Sequence, residues 1–87
     1  MREYFLNLER MQDAEAIQDY FVEMLELPGW YGRNFDALYD VLTDIMEETV
    51  FVLWPEKEEP SDCMKQMIRV LTDAAKENSR ITIISKK

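Results

Sequence analysis

The chain has 87 residues, a net charge of −8 and a pI near 4.4, so we expect one small domain over residues 1–87. The excess of acids argues against direct binding of nucleic acid or of an anionic membrane surface, because both need lysine and arginine. The chain has no histidine and a single cysteine, Cys63, which removes the commonest general base and any internal disulfide.

The start of the chain does not resemble a targeting signal. The segment MREYFLNLERM interrupts its apolar residues with Asn7, Glu9 and Arg10, unlike the core of a signal peptide. No segment approaches the roughly 20 apolar residues of a membrane span. We therefore expect a cytoplasmic protein.

The first third of the chain predicts a strand, a helix and a loop. Apolar residues at 4–8 indicate a short strand, and Asp13 is a candidate N-cap for the helix. Gln18, Asp19 and Glu23 fall on its polar side, and Pro28 ends it, leaving residues 28–32 (PGWYG) as a loop. The apolar stripe of this helix comprises Ile17, Tyr20, Phe21, Met24 and Leu25.

Asn34 is a candidate N-cap for a second helix, with Asp36 in the first turn, where the helix dipole favours an anion. At about 100° per residue two faces separate, and Tyr39 lies between them. The apolar face comprises Phe35, Leu38, Leu42, Ile45 and Met46. The second face, about 60° wide, comprises Asp36, Asp40, Thr43 and Glu47.

The second half of the chain predicts strand, helix, strand. TVFVLW, at 49–54, is β-branched and aromatic, as in a buried strand, and RITIIS, at 80–85, is similar. Ser61 is a candidate N-cap for the third helix, and Asn78 is expected to end it in the left-handed conformation. Its core stripe comprises Met64, Met67, Ile68, Leu71 and Ala75.

This order of elements predicts an α/β fold. Both strand-to-strand connections are long enough for parallel crossovers, and continuous apolar strands suit a parallel sheet covered by helices. We expect a small three-stranded parallel sheet packed against three main helices, with right-handed crossovers.

The acids of the second helix raise the question of function. Residues 34–48 contain no base and five acids: Asp36, Asp40, Asp44, Glu47 and Glu48. A solvated helix surface is the simplest interpretation, yet solvated faces usually mix signs, and like charges four residues apart destabilise a helix. Large aromatic residues lie beside these acids, which is typical of protein-binding surfaces. We expect Trp30 to be exposed and Phe35 to pack inward, whereas Tyr31 could do either.

Other interpretations remain open at this point. Asp36 and Asp40 could act as an acid–base pair or hold Mg²⁺, although no histidine or phosphate-binding loop accompanies them. The protein could also be a purely structural domain, or an acidic interaction module for a basic protein that is not a nuclease.

The segment LPGWYGRNFDALYDVLTDI, followed by TVFVLW and ITIIS, resembles the barstar family of intracellular ribonuclease inhibitors. The resemblance implies a small parallel α/β fold, no enzymatic activity and no cofactor. It also implies one-to-one binding to a basic, extracellular-type ribonuclease similar to barnase. Arg33 stands where the family pattern has an acid.

The resemblance also implies which residues bind the partner. Asp40 falls on the acid that occupies the phosphate-binding site of the nuclease, with Asp36 beside it and Asp73 at the periphery, so that carboxylates mimic RNA phosphates. The implied partner-binding residues are Trp30, Gly32, Asn34, Phe35, Asp36, Tyr39, Asp40, Thr43, Val70 and Asp73.

Overall fold

The computed structural model describes residues 1–87 and confirms the predicted α/β fold. The three strands pair in parallel in the order β1–β2–β3. None of the three helices combines the length and apolar character needed to cross a membrane. The elements are β1 (Arg2–Asn7), α1 (Ala14–Leu25), α2 (Phe35–Thr43), β2 (Thr49–Trp54), α3 (Asp62–Glu77) and β3 (Ile81–Ser85).

The first strand starts and ends earlier than predicted. The backbone N–H of Arg2 donates to Glu48 O at 2.9 Å, which adds polar residues at the start of the strand to the ladder. Leu8, predicted as the last strand residue, instead begins a 3₁₀ helix, Leu8–Arg10, where Asn7 Oδ1 accepts from Glu9 N. A capping side chain therefore ends β1 one residue before the apolar run does.

All three predicted helix N-caps are confirmed. The side chains of Asp13, Asn34 and Ser61 accept hydrogen bonds from the backbone N–H three residues later, at 2.8, 2.7 and 3.2 Å. Each satisfies one of the donors that a helix start leaves free. These caps are local contacts, which is why residue type and position predict them.

The prediction for Asn78 is wrong. Its backbone is extended, with φ −128° and ψ 101°, and its side chain is buried. The Nδ2 group lies 3.1 Å from Leu42 O and 2.9 Å from Ile45 O, while Oδ1 accepts from Arg80 N. Asn78 thus ties the end of α3 to the end of α2, and no left-handed turn is required.

The helices cover only one face of the sheet. Residues alternate between the faces of a strand, and the face containing Leu6 and Phe51 is buried with the helices in one core. On the other face Phe5, Trp54 and Ile84 are exposed, Phe5 by 59%. When successive right-handed crossovers each place the next strand on the same side of the previous one, all of them pass over the same face of the sheet. The helices predicted to cover the sheet therefore cover one face of it.

A tyrosine covers part of the outer edge of the sheet. β1 is an edge strand, and the Tyr20 hydroxyl of α1 donates to Phe5 O at 2.8 Å and accepts from Asn7 N at 3.0 Å. The Arg10 guanidinium lies 5.9 Å from the centre of the Tyr20 ring. One side chain therefore satisfies a donor and an acceptor that the sheet leaves unpaired.

Gln18 does not lie on the solvent side of α1 as predicted. Its side chain is buried, and Oε1 accepts a hydrogen bond of 2.6 Å from the hydroxyl of Tyr31, which is also buried. The helical periodicity predicts a polar exterior position, but the loop after α1 folds back and covers it. Tyr31 therefore belongs to the core, which settles the position that the sequence left open.

Candidate protein-binding site

The second helix is shorter than its apolar stripe suggests. It ends at Thr43, with Asp44 as C-cap, and Asn78 Nδ2 lies within hydrogen-bonding distance of the carbonyls of Leu42 and Thr43. Asp36, Asp40 and Thr43 therefore share the helix as predicted, but Glu47 does not. Glu47 lies in the connection to β2, where it pairs with Arg2 at 2.8 Å.

The acids of α2 have no cationic partner in the protein. Asp36, Asp40 and Asp44 are exposed, and the three ion pairs of the structure involve other carboxylates: Glu47, Asp19 and Glu9. The helix dipole favours Asp36 in the first turn and disfavours Asp44 at the C-terminal end. The negative charge of α2 is therefore available to a group from outside the molecule.

Tyr39 marks the place where acids of two helices meet. It is half-buried, and its pKa is raised above the ordinary 10.0, first by loss of water and then by the carboxylates of Glu77, Asp73 and Asp40. Tyr39 therefore lies near carboxylates of both α2 and α3. We call Asp36, Asp40, Asp73 and Glu77 the acidic surface.

Glu77 is the member of this surface that sequence reasoning missed. It follows Asp73 by four residues on α3, which repeats the spacing of Asp36 and Asp40 on α2. The spacing was available in the sequence, but it gains meaning only when α2 and α3 lie side by side. Both α3 acids are exposed and form no ion pair.

Two further predicted residues flank these acids. Thr43 is half-buried, and its Oγ1 donates to Asp40 O at 3.1 Å, so the hydroxyl is turned back onto the helix. Val70 precedes Asp73 by one turn of α3 and packs against the core. Their side chains thus lie at the boundary between core and surface.

The loop before α2 presents one large aromatic residue to solvent. Trp30 is 87% exposed, as expected, while Tyr31 is buried and its N–H donates to Pro28 O at 3.0 Å. Phe35, the first residue of α2, is half-buried and packs against the core, as expected. An exposed tryptophan on an anchored loop is the type of residue that dominates protein interfaces.

Gly32 and Asn34 shape the end of this loop. A Cβ atom on Gly32 would lie 3.3 Å from Ala37 Cβ and 3.4 Å from Asn34 Nδ2, so a larger residue would press on the first turn of α2. Asn34 uses both ends of its amide, because Oδ1 caps the helix and Nδ2 donates to Gly32 O at 3.3 Å. Both residues therefore have a structural role in the free protein.

Arg33 is the only base between Leu27 and Glu48. Its backbone is left-handed, with φ 53°, a conformation that residues other than glycine adopt rarely. The guanidinium pairs with Asp19 of α1 and makes no ion pair with Asp36. The loop's only positive charge is thus offset by α1 and not by α2.

The acidic surface lies apart from the main grooves of the protein. None of its four acids lines any of these five grooves. No group of three or more Cys, Asp or Glu side chains is arranged to hold a metal ion. Exposed carboxylates without ion pairs, together with an exposed tryptophan in the preceding loop, are suited to contact another macromolecule.

Comparison with known proteins relates the chain to a family and to a curated protein. The family described as "Barstar (barnase inhibitor)" matches residues 1–84. The protein named "Putative ribonuclease inhibitor YrdF" of Bacillus subtilis strain 168 is 37% identical over 43 residues, which cover 49% of this chain and 47% of that protein. The chain therefore spans about half the length of this curated relative.

Proposed function

Because the chain belongs to the barstar family, we propose that it inhibits a small basic ribonuclease by binding one-to-one over the active site. Residues 1–87 would act as one non-enzymatic domain in the cytoplasm, as an antitoxin or immunity protein that protects the producing cell. The observation that carries this proposal is the acidic surface, where carboxylates of the packed helices α2 and α3 lie near Tyr39 and form no ion pair.

The chemistry of a ribonuclease active site fits such a surface. The enzyme gathers lysine and arginine to bind RNA phosphates, and carboxylates at the same spacing can take the place of those phosphates. Asp40 would enter the phosphate-binding site, with Asp36 beside it and Asp73 at the edge. Repulsion among these acids destabilises the free inhibitor and is relieved when cations of the enzyme lie between them.

The aromatic residues would complete the contact. Trp30 would cover the rim of the active site and exclude water, which strengthens each ion pair by lowering the local dielectric. The field of a chain with net charge −8 would also accelerate the encounter with a basic enzyme. The remaining contact residues of the proposal are Gly32, Asn34, Phe35, Tyr39, Thr43 and Val70.

An inhibition assay tests this function. Small basic ribonucleases, including barnase, are titrated with the wild-type chain, Asp40→Ala and Asp44→Ala. We expect stoichiometric inhibition of at least one enzyme. Asp40→Ala should weaken inhibition about 30-fold or more, which is the general effect of truncating one partner of a buried charge pair. Barnase–barstar complexes are among the examples from which that general range is known.

Asp44→Ala is the matched control, because it removes the same charge from the end of the same helix. We expect it to weaken inhibition less than about fivefold, as for a peripheral exposed charge. Asp73→Ala should fall between the two variants. Equal losses for Asp40→Ala and Asp44→Ala would contradict the proposed geometry. If the chain inhibits no ribonuclease but captures a basic protein that is not a nuclease, and if this capture requires the acidic residues, the protein would instead be an acidic interaction module.

A further inference from the structure

We propose that Asp19 of α1 is a positioning residue, which holds Arg33 away from Asp36 and thereby keeps the acidic surface free for a cationic partner. Asp19 lies on a different helix from every proposed contact residue. The effect of Asp19 on ribonuclease binding rests on the proposed function, whereas its effect on the loop and on Arg33 does not.

The loop between α1 and α2 is tied back onto α1 at successive points. Leu27 N donates to Val22 O at 3.0 Å near the start of the loop. Tyr31 then donates its hydroxyl to Gln18 in the core, and Arg33 pairs with Asp19, the neighbour of Gln18. The buried hydrogen bond fixes the path of the loop, and the ion pair fixes the direction of the last side chain before the N-cap of α2.

Arg33 could otherwise reach the acids of α2. It precedes Asp36 by three residues at the start of that helix, and the extended arginine side chain is long enough to span such a separation. A guanidinium on Asp36 would neutralise part of the acidic surface, and a basic partner would have to displace it. In the structure the guanidinium is on Asp19 instead, and Asp36 has no ion-pair partner.

The backbone at Arg33 also depends on this contact. A left-handed φ of 53° is unfavourable for an arginine, and such conformations persist where surrounding contacts hold them. The Asp19 ion pair and the Tyr31–Gln18 hydrogen bond, on either side of Gly32, supply those contacts. Loss of Asp19 should therefore loosen the loop that presents Trp30 and release the positive charge of Arg33.

The first arm of the test needs no partner. Backbone ¹⁵N relaxation of residues 29–33 and the NMR signals of the Arg33 side chain are compared for the wild-type chain, Asp19→Asn and Glu23→Gln. Glu23 is the matched control, since it is an exposed acid one turn further along α1 without an ion pair. We expect increased mobility of the loop and of Arg33 in Asp19→Asn only. Identical spectra for the loop in all three proteins would overturn the proposal.

The second arm measures binding, with a hexa-arginine peptide as a general cationic probe and with any ribonuclease that the wild-type chain inhibits. Relative to Glu23→Gln, Asp19→Asn should weaken binding about two- to fivefold, the range for one exposed ion pair. In the Arg33→Ala background the two substitutions should have equal effects, because no guanidinium is left to compete.

The outcomes separate this proposal from the proposed function. If the wild-type chain inhibits no ribonuclease, the proposed function fails, while relaxation and peptide binding still decide the role of Asp19. If a ribonuclease is inhibited equally well by Asp19→Asn and Glu23→Gln, the positioning role is wrong and the inhibitor function stands. An Asp19→Asn defect that persists with Arg33→Ala would also overturn the positioning role.

Discussion

A single buried amide, that of Asn78, joins the ends of two helices. Its Nδ2 group serves carbonyls at the C-terminal end of α2, and its Oδ1 accepts from Arg80 N in the turn that leads to β3. The last carbonyls of a helix have no partner within the helix, and the side chain of Asn78, the C-cap of α3, donates to them there. Because α2 and α3 together form the acidic surface, Asn78 also fixes the distance between its two halves.

We expect Asn78→Ala to lower the free energy of unfolding by about 1–3 kcal/mol, because the carbonyls of Thr43 and Ile45 lose their side-chain donor. Urea denaturation followed by circular dichroism measures this change. Ser79→Ala is the control, since Ser79 is exposed and its side chain forms no hydrogen bond. Similar values for the two variants would mean that water replaces the amide without loss.

Tyr31 gives the stability a dependence on alkaline pH. Burial raises the pKa of its phenol above the ordinary 10.0, and the nearby Arg33 guanidinium opposes the shift. The folded state therefore holds the proton more tightly than the unfolded state, so this stabilisation is complete below pH 10 and is lost as pH rises beyond it. We expect unfolding free energies between pH 8 and pH 11 to fall less steeply in Tyr31→Phe than in the wild-type chain. Parallel curves would contradict this assignment.

At the residue scale, sequence reasoning succeeds where the partner is close in the chain. The N-caps at Asp13, Asn34 and Ser61 depend on a backbone N–H three residues away, so residue type and position identify them. The hydrogen bond between Gln18 and Tyr31 spans 13 residues, and that between Asn78 and Leu42 spans 36. Helical periodicity contains no information on such distant partners, and for this reason it does not predict that Asn78 and Gln18 are buried.

The element that matters most for the site is α2. A carboxylate has opposite effects on the stability of this helix at its two ends. Asp36 lies in the first turn, near the positive end of the helix dipole, and Asp44 is the C-cap, near the negative end. Asp40 lies four residues from each and repels both. The same charge therefore stabilises the helix at one end and destabilises it at the other.

We expect Asp44→Asn to raise the free energy of unfolding by about 0.5–1.5 kcal/mol, because it removes both an unfavourable dipole interaction and a repulsion. Asp36→Asn should change it by less than about 0.5 kcal/mol, since the two contributions oppose each other there. Thermal or urea denaturation at low ionic strength gives both values. A larger gain for Asp36→Asn than for Asp44→Asn would contradict this assignment.

The extent of the elements was predictable only in part. Thr49–Trp54 matches the prediction because β-branched and aromatic residues form an unbroken run. The end of α2 was not predictable, because apolar residues continue to Met46 and because Asn78, far away in the chain, donates to the last carbonyls of the helix. The same limit applies to the candidate site. Periodicity places Asp36 and Asp40 on one face, but Glu77 joins them only through the packing of α3 against α2.

The whole molecule carries a net charge of −8, which acts on folding and on binding in opposite directions. Repulsion among excess charges of one sign destabilises the compact state, and salt screens it. Attraction between this chain and a basic partner is screened by the same ions. Salt should therefore stabilise the free protein and weaken its complex.

Between 50 and 500 mM NaCl we expect the melting temperature of the free chain to rise and its affinity for a basic ribonuclease to fall, by about tenfold or more. Differential scanning calorimetry and isothermal titration calorimetry measure the two effects. The variant Asp40→Asn/Asp73→Asn should reduce both dependences. A melting temperature that falls with salt would mean that the three ion pairs, Arg2–Glu47, Arg33–Asp19 and Lys57–Glu9, outweigh the repulsion among the acids.

The Tyr20 hydroxyl makes the two borders of the sheet unequal. It occupies Phe5 O and Asn7 N, which face outward from β1 and which an added strand would need. No side chain bonds to the backbone of β3 in this way. Strand addition is therefore open on one side and obstructed on the other. Two copies that paired along β3 would form a dimer with both β1 edges still covered by Tyr20. A continuous fibril needs both edges of each sheet, so it would have to break the Tyr20 contacts first.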